Sequence, residues 1–566
     1  MRAHHLFPAV LLLAGCGTDV AGPAASLFSC LLAEPVQLDV GEVVQVAGAA
    51  NRGLCLEAGG AAAEFVYIPF HGDAKDAGPL RIEVSGAGVD AVDGPPSPSP
   101  VRPEPPLAVT LRGTPPRPPV LLDLEFHRRL RERERRELEP RLRTGATGSP
   151  AGDPDRFPAV RTTAVPEVGD LASYNVAISC DRSDDRTGRV EYVSDRAVVV
   201  ADVANPAGLT EADYRHFGET FDTLVDPVAV RHFGQPTDID ENGRSIIFFT
   251  RAVNELAGTV VGAVTAGFFW SGDLFPEEAT PRAEACPGGN QAEMFYMLTA
   301  DPQGEVGPAY SVEFIREATI PVIGHEYQHL INASRRLWVN NASEFEEPWL
   351  NEGLSHVAEE LLFYARSGLA PGANLGYDAL AGTPSAVDAF NQFMGGNFTN
   401  YARYLGRPDT ASLMGIDALP TRGATWNFLR YAADRSGRPD DEFFLQLVNG
   451  RTAGLENLGE TLGADPLAWM RDWTVSVYAD DAVPVDAAYR QASWNFRDLY
   501  PNSSVGRFPL RVIPLAAGDV ETLLLQPGGA GFPRFGIGGA DKAVLHVEAG
   551  GGAPPAALRG SFLRTR

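Results

Sequence analysis

The chain has 566 residues, is 44% hydrophobic and 21% charged, and carries a formal net charge of −26 with a pI near 4.8. This describes a globular protein of several domains and excludes disordered and fibrous classes. The acidic balance excludes a nucleic-acid binder, which would present a basic stripe.

At the N-terminus Arg2 precedes the apolar run Leu6 to Leu13, and Leu13-Ala14-Gly15-Cys16 reads as a bacterial lipobox. Residues 1–16 are therefore expected to be a lipoprotein signal peptide, with lipid carried on Cys16. No later segment reaches the ~20 apolar residues of a membrane span. Membrane contact is expected only through that anchor, on a bacterial protein exported to the cell envelope or beyond. Cys30, Cys55, Cys180 and Cys286 then remain, an even number suited to an oxidising compartment. Cys30–Cys55 and Cys180–Cys286 are the preferred pairs, each within one domain, and two other connectivities stay open.

Residues 17–120 alternate short β-rich runs, such as Val43–Val46, Glu64–Ile68 and Leu80–Val84, with Gly and Pro, which predicts a small β-sandwich. Pro95 to Pro119 reads as a stiff linker. From Phe126 to Leu138 the spacing predicts a charged helix with a thin apolar stripe of Phe126, Leu130, Leu138 and Leu142. Residues 121–165 are thus a charged helix and linker or a pro-segment: the helix is a solvated spacer or docks on the next domain, and 144–158 is a flexible, cleavable connection.

Residues 166–480 open with strands near Val190–Val193 and Arg196–Val200 and a helix from Thr210 to Leu224 that begins at a Thr cap. Ser245–Thr250 is a buried strand. Ahead of it, Asp238-Ile239-Asp240-Glu241-Asn242-Gly243 resembles the first half of a calcium loop. An EF-hand is excluded because its bidentate Glu position holds Phe249. What stays open is a tight Asp- and Asn-rich turn or a non-EF Ca2+ site on Asp238, Asp240 and Asn242.

The run His325-Glu326-Tyr327-Gln328-His329 follows. On a helix both histidines lie one turn apart on one face, so both imidazoles can reach one Zn2+, while Glu326 flanks the metal where a carboxylate can take a proton from bound water. With 10 His in the chain, such a run arises by chance on the order of once in a hundred chains. The apolar flanks Pro321 to Ile323 and Leu330 to Ile331 suit a buried helix. A catalytic zinc takes three protein ligands and leaves one position open. A metzincin's third His is excluded because the positions that would hold its Gly and His are Asn332 and Arg335. The best third ligand is Glu352, in Trp349-Leu350-Asn351-Glu352-Gly353-Leu354-Ser355, on a second helix begun by Pro348. Glu344, Glu346, Glu347, Glu359 and Glu360 read as a solvated acidic face.

These two segments resemble the hyicolysin family of secreted bacterial metallopeptidases and, more broadly, the gluzincins, of which thermolysin is the familiar member. The similarity runs over roughly residues 185–480 and includes Phe233 to Gly243 and Asn290 to Tyr296. It implies an α+β gluzincin-like zinc metallopeptidase domain at 166–480, here flanked by all-β domains at 17–120 and 481–566. It implies His325, His329 and Glu352 as zinc ligands, Glu326 as general base, and a peptide or protein substrate. Thermolysin-like enzymes place an Asp one turn after the third ligand to orient a ligand histidine; this chain has His356, leaving that role to the imidazole or to a carboxylate such as Glu359. The oxyanion donor, commonly Tyr or His, falls to Tyr404 or Tyr401, with Tyr431 and Arg422 as alternatives. The Gly-Ala-Met-Glu-Asn motif of many zinc aminopeptidases is absent, which favours an endopeptidase. The competing readings are a non-catalytic, surface-anchored binding lipoprotein with a vestigial zinc site, and hydrolysis of a non-peptide amide.

Overall fold

The computed structural model describes residues 35–73, 76–92, 109–112, 121–122, 124–143, 164–256, 263–539 and 541–566. The expected signal segment with Cys16, Cys30, most of the proline-rich stretch and the connection at 144–158 lie outside them. In chain order come β1 (Val36–Gln37), β2 (Val43–Ala47), β3 (Leu54–Glu57), β4 (Ala63–His71), β5 (Leu80–Ala87), β6 (Leu121–Leu122) and α1 (Leu124–Glu137). Next are β7 (Leu171–Asn175), β8 (Asp185–Val193), β9 (Ala197–Asp202), α2 (Glu211–Thr220), α3 (Asp226–Phe233), β10 (Ser245–Phe249) and α4 (Arg251–Glu255). Then β11 (Ala263–Val264), β12 (Gly267–Phe268) and β13 (Met294–Met297) lead into the helices α5 (Val312–Ser334) and α6 (Pro348–Ser367). A helical lobe follows with α7 (Tyr377–Ala381), α8 (Pro384–Ala389), α9 (Gly395–Leu405), α10 (Leu419–Ser436), α11 (Asp440–Val448), α12 (Gly454–Leu462), α13 (Pro466–Ala479) and α14 (Phe496–Leu499). The last strands are β14 (Ile513–Pro514), β15 (Val520–Leu525), β16 (Pro533–Ile537), β17 (Lys542–Glu548) and β18 (Leu558–Arg564).

The two terminal β-regions are not separate domains, which corrects the expectation of flanking sandwiches at 17–120 and 481–566. They interleave as one sandwich with sheet orders β1-β3-β17-β5-β15 and β14-β16-β4-β18-β2. The reason is edge pairing. β17 lies between β3 and β5, and β18 between β2 and β4, so neither terminal half alone forms these contiguous sheets. Alternation along β5 turns Ile82 and Val84 inward and Arg81 and Glu83 outward, and the shared core joins Phe65 and Tyr67 to Leu523, Leu545 and Phe562.

The central lobe is a mixed sheet in the order β12-β13-β10-β9-β8-β7. Its middle strands β9, β10 and β13 run parallel and are buried throughout, as a sheet covered on both faces requires. Cys180 and Cys286 form the expected disulfide, with Cα atoms 4.4 Å apart. Cys55 is disulfide-bonded as well. No helix among the described residues is long and apolar enough to cross a membrane.

Two glycines let the helices that carry the sequence motifs approach closely. A Cβ on Gly324 of α5 would lie 2.4 Å from Leu362 of α6, and one on Gly353 of α6 would lie 2.4 Å from Thr425 of α10. Gly353→Ala should therefore destabilise the fold by about 1–3 kcal/mol through overpacking, seen as a lowered Tm. Glu346 and Glu360, expected on a solvated face, are buried instead. Glu346 accepts from Arg336, Asn457 and the Gly454 N–H; Glu360 accepts from the Trp494 indole at 2.6 Å. Burial pushes Glu360 up to about 7 against the pull of Arg430. A carboxyl raised above its unfolded value stabilises fully below about pH 4.5, and that contribution is lost as pH rises towards 7. Glu360→Gln keeps the acceptor without the titration, so its Tm should gain on the parent between pH 4.5 and 7 and hold that gain above. The full difference amounts to at most about 3 kcal/mol.

Candidate metal centre

The centre lies where α5 crosses α6. Helical periodicity sets His325 and His329 on one face of α5, with ring centroids 4.9 Å apart, and Pro348 starts α6 so that Glu352 meets them from the facing helix. His325 Nε2 is 3.3 Å from Glu352 Oε2, and His329 Nε2 is 3.5 Å from Glu352 Oε1. Ligands at about 2.0–2.1 Å from a tetrahedral zinc lie roughly 3.3–3.4 Å from one another, so the three side chains have the spacing of a zinc site. The three ligand atoms lie within 4.8 Å of one another, and Glu352 is buried. A buried carboxylate facing two imidazoles in this way suits a cation between them.

The outward ring nitrogens meet acceptors, which directs both Nε2 atoms to the centre. His325 Nδ1 lies 2.8 Å from Glu359 Oε1, and His329 Nδ1 lies 3.1 Å from Asn351 Oδ1 and 3.1 Å from the Ser355 hydroxyl. Burial disfavours a charged His325, yet Glu352 and Glu359 hold it up to about 10, so this corner of the site favours positive charge. Burial also opposes charge on Glu359, but His356 and His325 hold its carboxyl down to about 2. His356 stands 3.1 Å from Glu359 through Nδ1, and its ring centroid is 5.1 Å from that of His325. The acceptor for His325 is thus Glu359, one turn beyond His356 on α6.

Glu326 is buried, and its Oε2 accepts the Phe269 N–H at 2.9 Å from just beyond β12, the edge strand of the central sheet. Burial raises its pKa, with Glu352 adding to the effect and His325 and Arg131 opposing it. The group is thus a carboxylate made more basic than in water. Arg422 of α10 holds Glu352 from behind. Its Nη1 is 2.9 Å from Glu352 Oε2, while Nε and Nη2 donate to Asp417 at 2.6 and 2.7 Å. Sequence reasoning considered Arg422 as an oxyanion donor but missed this carboxylate-holding position, because the pairing spans three separate segments.

A cavity of about 210 Å³ opens onto the centre, lined among others by His127, Gly267, His325, Glu326, His356 and Arg422. Tyr404 and Tyr401 do not line it. Both are fully buried, their rings stacked 6.1 Å apart, with Tyr404 against Trp473 at 5.4 Å. This corrects the assignment of Tyr404 or Tyr401 as donor: the apolar spacing that placed them on a helix also turned them into the core. Tyr431 donates to the Ala488 carbonyl, away from the cavity.

The solvated-spacer reading of 121–165 is corrected too. β6 pairs with β11, Phe126 packs on Phe268 at 5.2 Å, and His127, Leu130, Arg131 and Glu134 are buried. Arg131 Nη1 bonds Glu134 at 2.7 Å, Glu134 accepts the Ser271 N–H at 2.8 Å, and Arg131 Nε comes to 4.0 Å from Glu352 Oε1. The spacing of His127, Arg131 and Glu134 at i, i+4 and i+7 was the available signal, hidden by the charged composition of the helix.

Asp238 and Asp240 converge with Glu293, a residue sequence reasoning did not include, while Asn242 turns its amide to Asp240 at 2.5 Å. Burial pushes Asp240 up to about 7 and Glu293 up to about 8, and Glu293 accepts from the Thr237 hydroxyl at 2.7 Å and from the Ile239 N–H. Glu293 rather than Asn242 is thus the third member of this acidic cluster.

No known protein-family profile matches the chain. Over 153 residues it is 28% identical to the neutral metalloprotease ShpI of Staphylococcus hyicus, a match that covers 27% of this chain and 32% of that protein. The chain therefore spans about a third of the length of the curated relative it matches.

Glu359→Gln removes the charge that faces His325 while keeping an amide oxygen in place. Zinc affinity, measured by competition with a chromogenic chelator, should fall by about 10–100-fold, with circular dichroism unchanged.

Proposed function

We propose that this protein is an exported zinc metallopeptidase, with His325, His329 and Glu352 as ligands and Glu326 as general base. The observation that carries this reading is the convergence of two imidazoles and a carboxylate at 3.3 and 3.5 Å, beside a buried glutamate and an open cavity. The 28% identity to a protein named a neutral metalloprotease supports the same class. The Cys180–Cys286 disulfide supports an oxidising, extracytoplasmic location.

Zinc held by these residues would supply an acidified water and a Lewis acid for a carbonyl group. Glu326, raised in basicity by burial and oriented by the Phe269 N–H, takes the proton of the attacking water at its free oxygen edge. The same carboxyl then delivers the proton to the leaving nitrogen, which prevents expulsion of an amide anion. Arg422 and Asp417 keep Glu352 in place, and Glu359 and Asn351 keep the imidazoles turned inward. Gly267 beside the cavity approaches α5 closely, since a Cβ there would lie 2.8 Å from Val322; the sheet edge is thereby held against the motif helix. An extended peptide laid along that edge would reach Glu326 with its backbone carbonyls. The endopeptidase assignment rests on the absence of the aminopeptidase motif.

Incubation of the zinc-loaded protein with a mixed peptide library should release internal cleavage products. Glu326→Ala should retain zinc and lose about 10²–10⁴-fold in rate. Absence of cleavage by zinc-bound parent protein would overturn the peptidase assignment in favour of a binding protein.

A further inference from the structure

The helix α1 reaches the metal centre from a part of the chain outside the two zinc-motif helices. Residues before α1 supply five of the ten sandwich strands, and β17 depends on β3 and β5 for both its neighbours. Loss of the N-terminal strands would expose Leu523, Leu545 and Phe562, so those strands stay with the folded protein, and α1 follows them in the chain.

Its inner face brings two hydrogen-bond donors to the centre. His127 is 4% exposed and Arg131 5% exposed. His127 Nδ1 and Arg131 Nε and Nη2 have no hydrogen-bond partner among the described residues. Buried polar groups without partners are rare and costly. His127 lines the same cavity as His325 and Glu326. Arg422 is engaged with Asp417 and Glu352, and His356 stands 3.1 Å from Glu359. Tyr401 and Tyr404 are in the core.

Resting on the peptidase reading above, we propose that His127 is a catalytic residue, donating its ring N–H to the carbonyl oxygen of the scissile bond as that oxygen becomes negative. The proton stays on the ring throughout; no bond to His127 is made or broken. Burial, with Arg422 and Arg131 nearby, pushes His127 down to about 3, so it acts as a neutral donor. The site is thus assembled from three regions of the chain: α5 and α6 hold the metal ligands, and α1 contributes the donor.

The test compares the full-length parent with His127→Phe and His127→Gln, each checked for zinc content and Tm. His127→Phe is expected to lower kcat about 100-fold or more with KM within a factor of about three. His127→Gln, which retains an N–H donor, should recover part of that loss. A phosphinic peptide that mimics the tetrahedral state should bind His127→Phe about 100-fold more weakly by calorimetry, while a product peptide binds both equally. Undiminished kcat and phosphinate affinity in His127→Phe overturns the proposal while leaving the peptidase reading intact. Increased activity would overturn it as well, and would make α1 a cover over the site. A parent that binds zinc and cleaves nothing would instead sink the peptidase reading on which the proposal rests.

Discussion

A carboxylate removed from water sets the terms at the centre of this protein. Glu352 is 1% exposed and lies within 3.5 Å of two imidazoles and 2.9 Å from a guanidinium. An unpaired charge in that position would be prohibitively unfavourable, so the surroundings must supply positive charge and fixed dipoles. Arg422 supplies one full charge and is itself balanced by Asp417. The imidazoles, turned by Glu359 and Asn351, meet Glu352 at the spacing of zinc ligands. Close helix packing through Gly324 and Gly353 permits the charges to meet. The centre is therefore a consequence of packing as much as of ligand chemistry.

The sandwich touches this centre with none of its strands. By pairing strands from both ends of the chain, it makes the N-terminal region inseparable from the body of the protein. The helix α1 is held at the metal centre by the central lobe: β6–β11 pairing and the Phe126–Phe268 contact fix its start, and the Glu134–Ser271 bond fixes its last turn.

Legibility varied with the range over which each feature is encoded. Helical periodicity places His325 and His329 together from their own spacing, and the break at Pro348 puts Glu352 near the start of the next helix. The cysteine pairing Cys180–Cys286 was readable because both residues lie within one expected domain. Errors arose where polarity stood in for environment. Glu346, Glu360, His127 and Arg131 looked solvated because their neighbours are charged, but each is buried against partners distant in sequence. Tyr404 erred the other way, since a hydroxyl suggested chemistry where aromatic packing on Trp473 prevailed.

By itself the amino-acid order determined the local geometry: which side chains share a helix face and where helices begin. Those features depend on backbone periodicity and steric limits that act over a few residues. Only the tertiary structure decided that Glu359 orients His325, that Arg422 braces Glu352, that α1 faces the cavity, and that ten strands from two ends make one sandwich. Each of these depends on burial, and burial is a property of what packs on a residue from elsewhere in the chain, which its own neighbours do not encode.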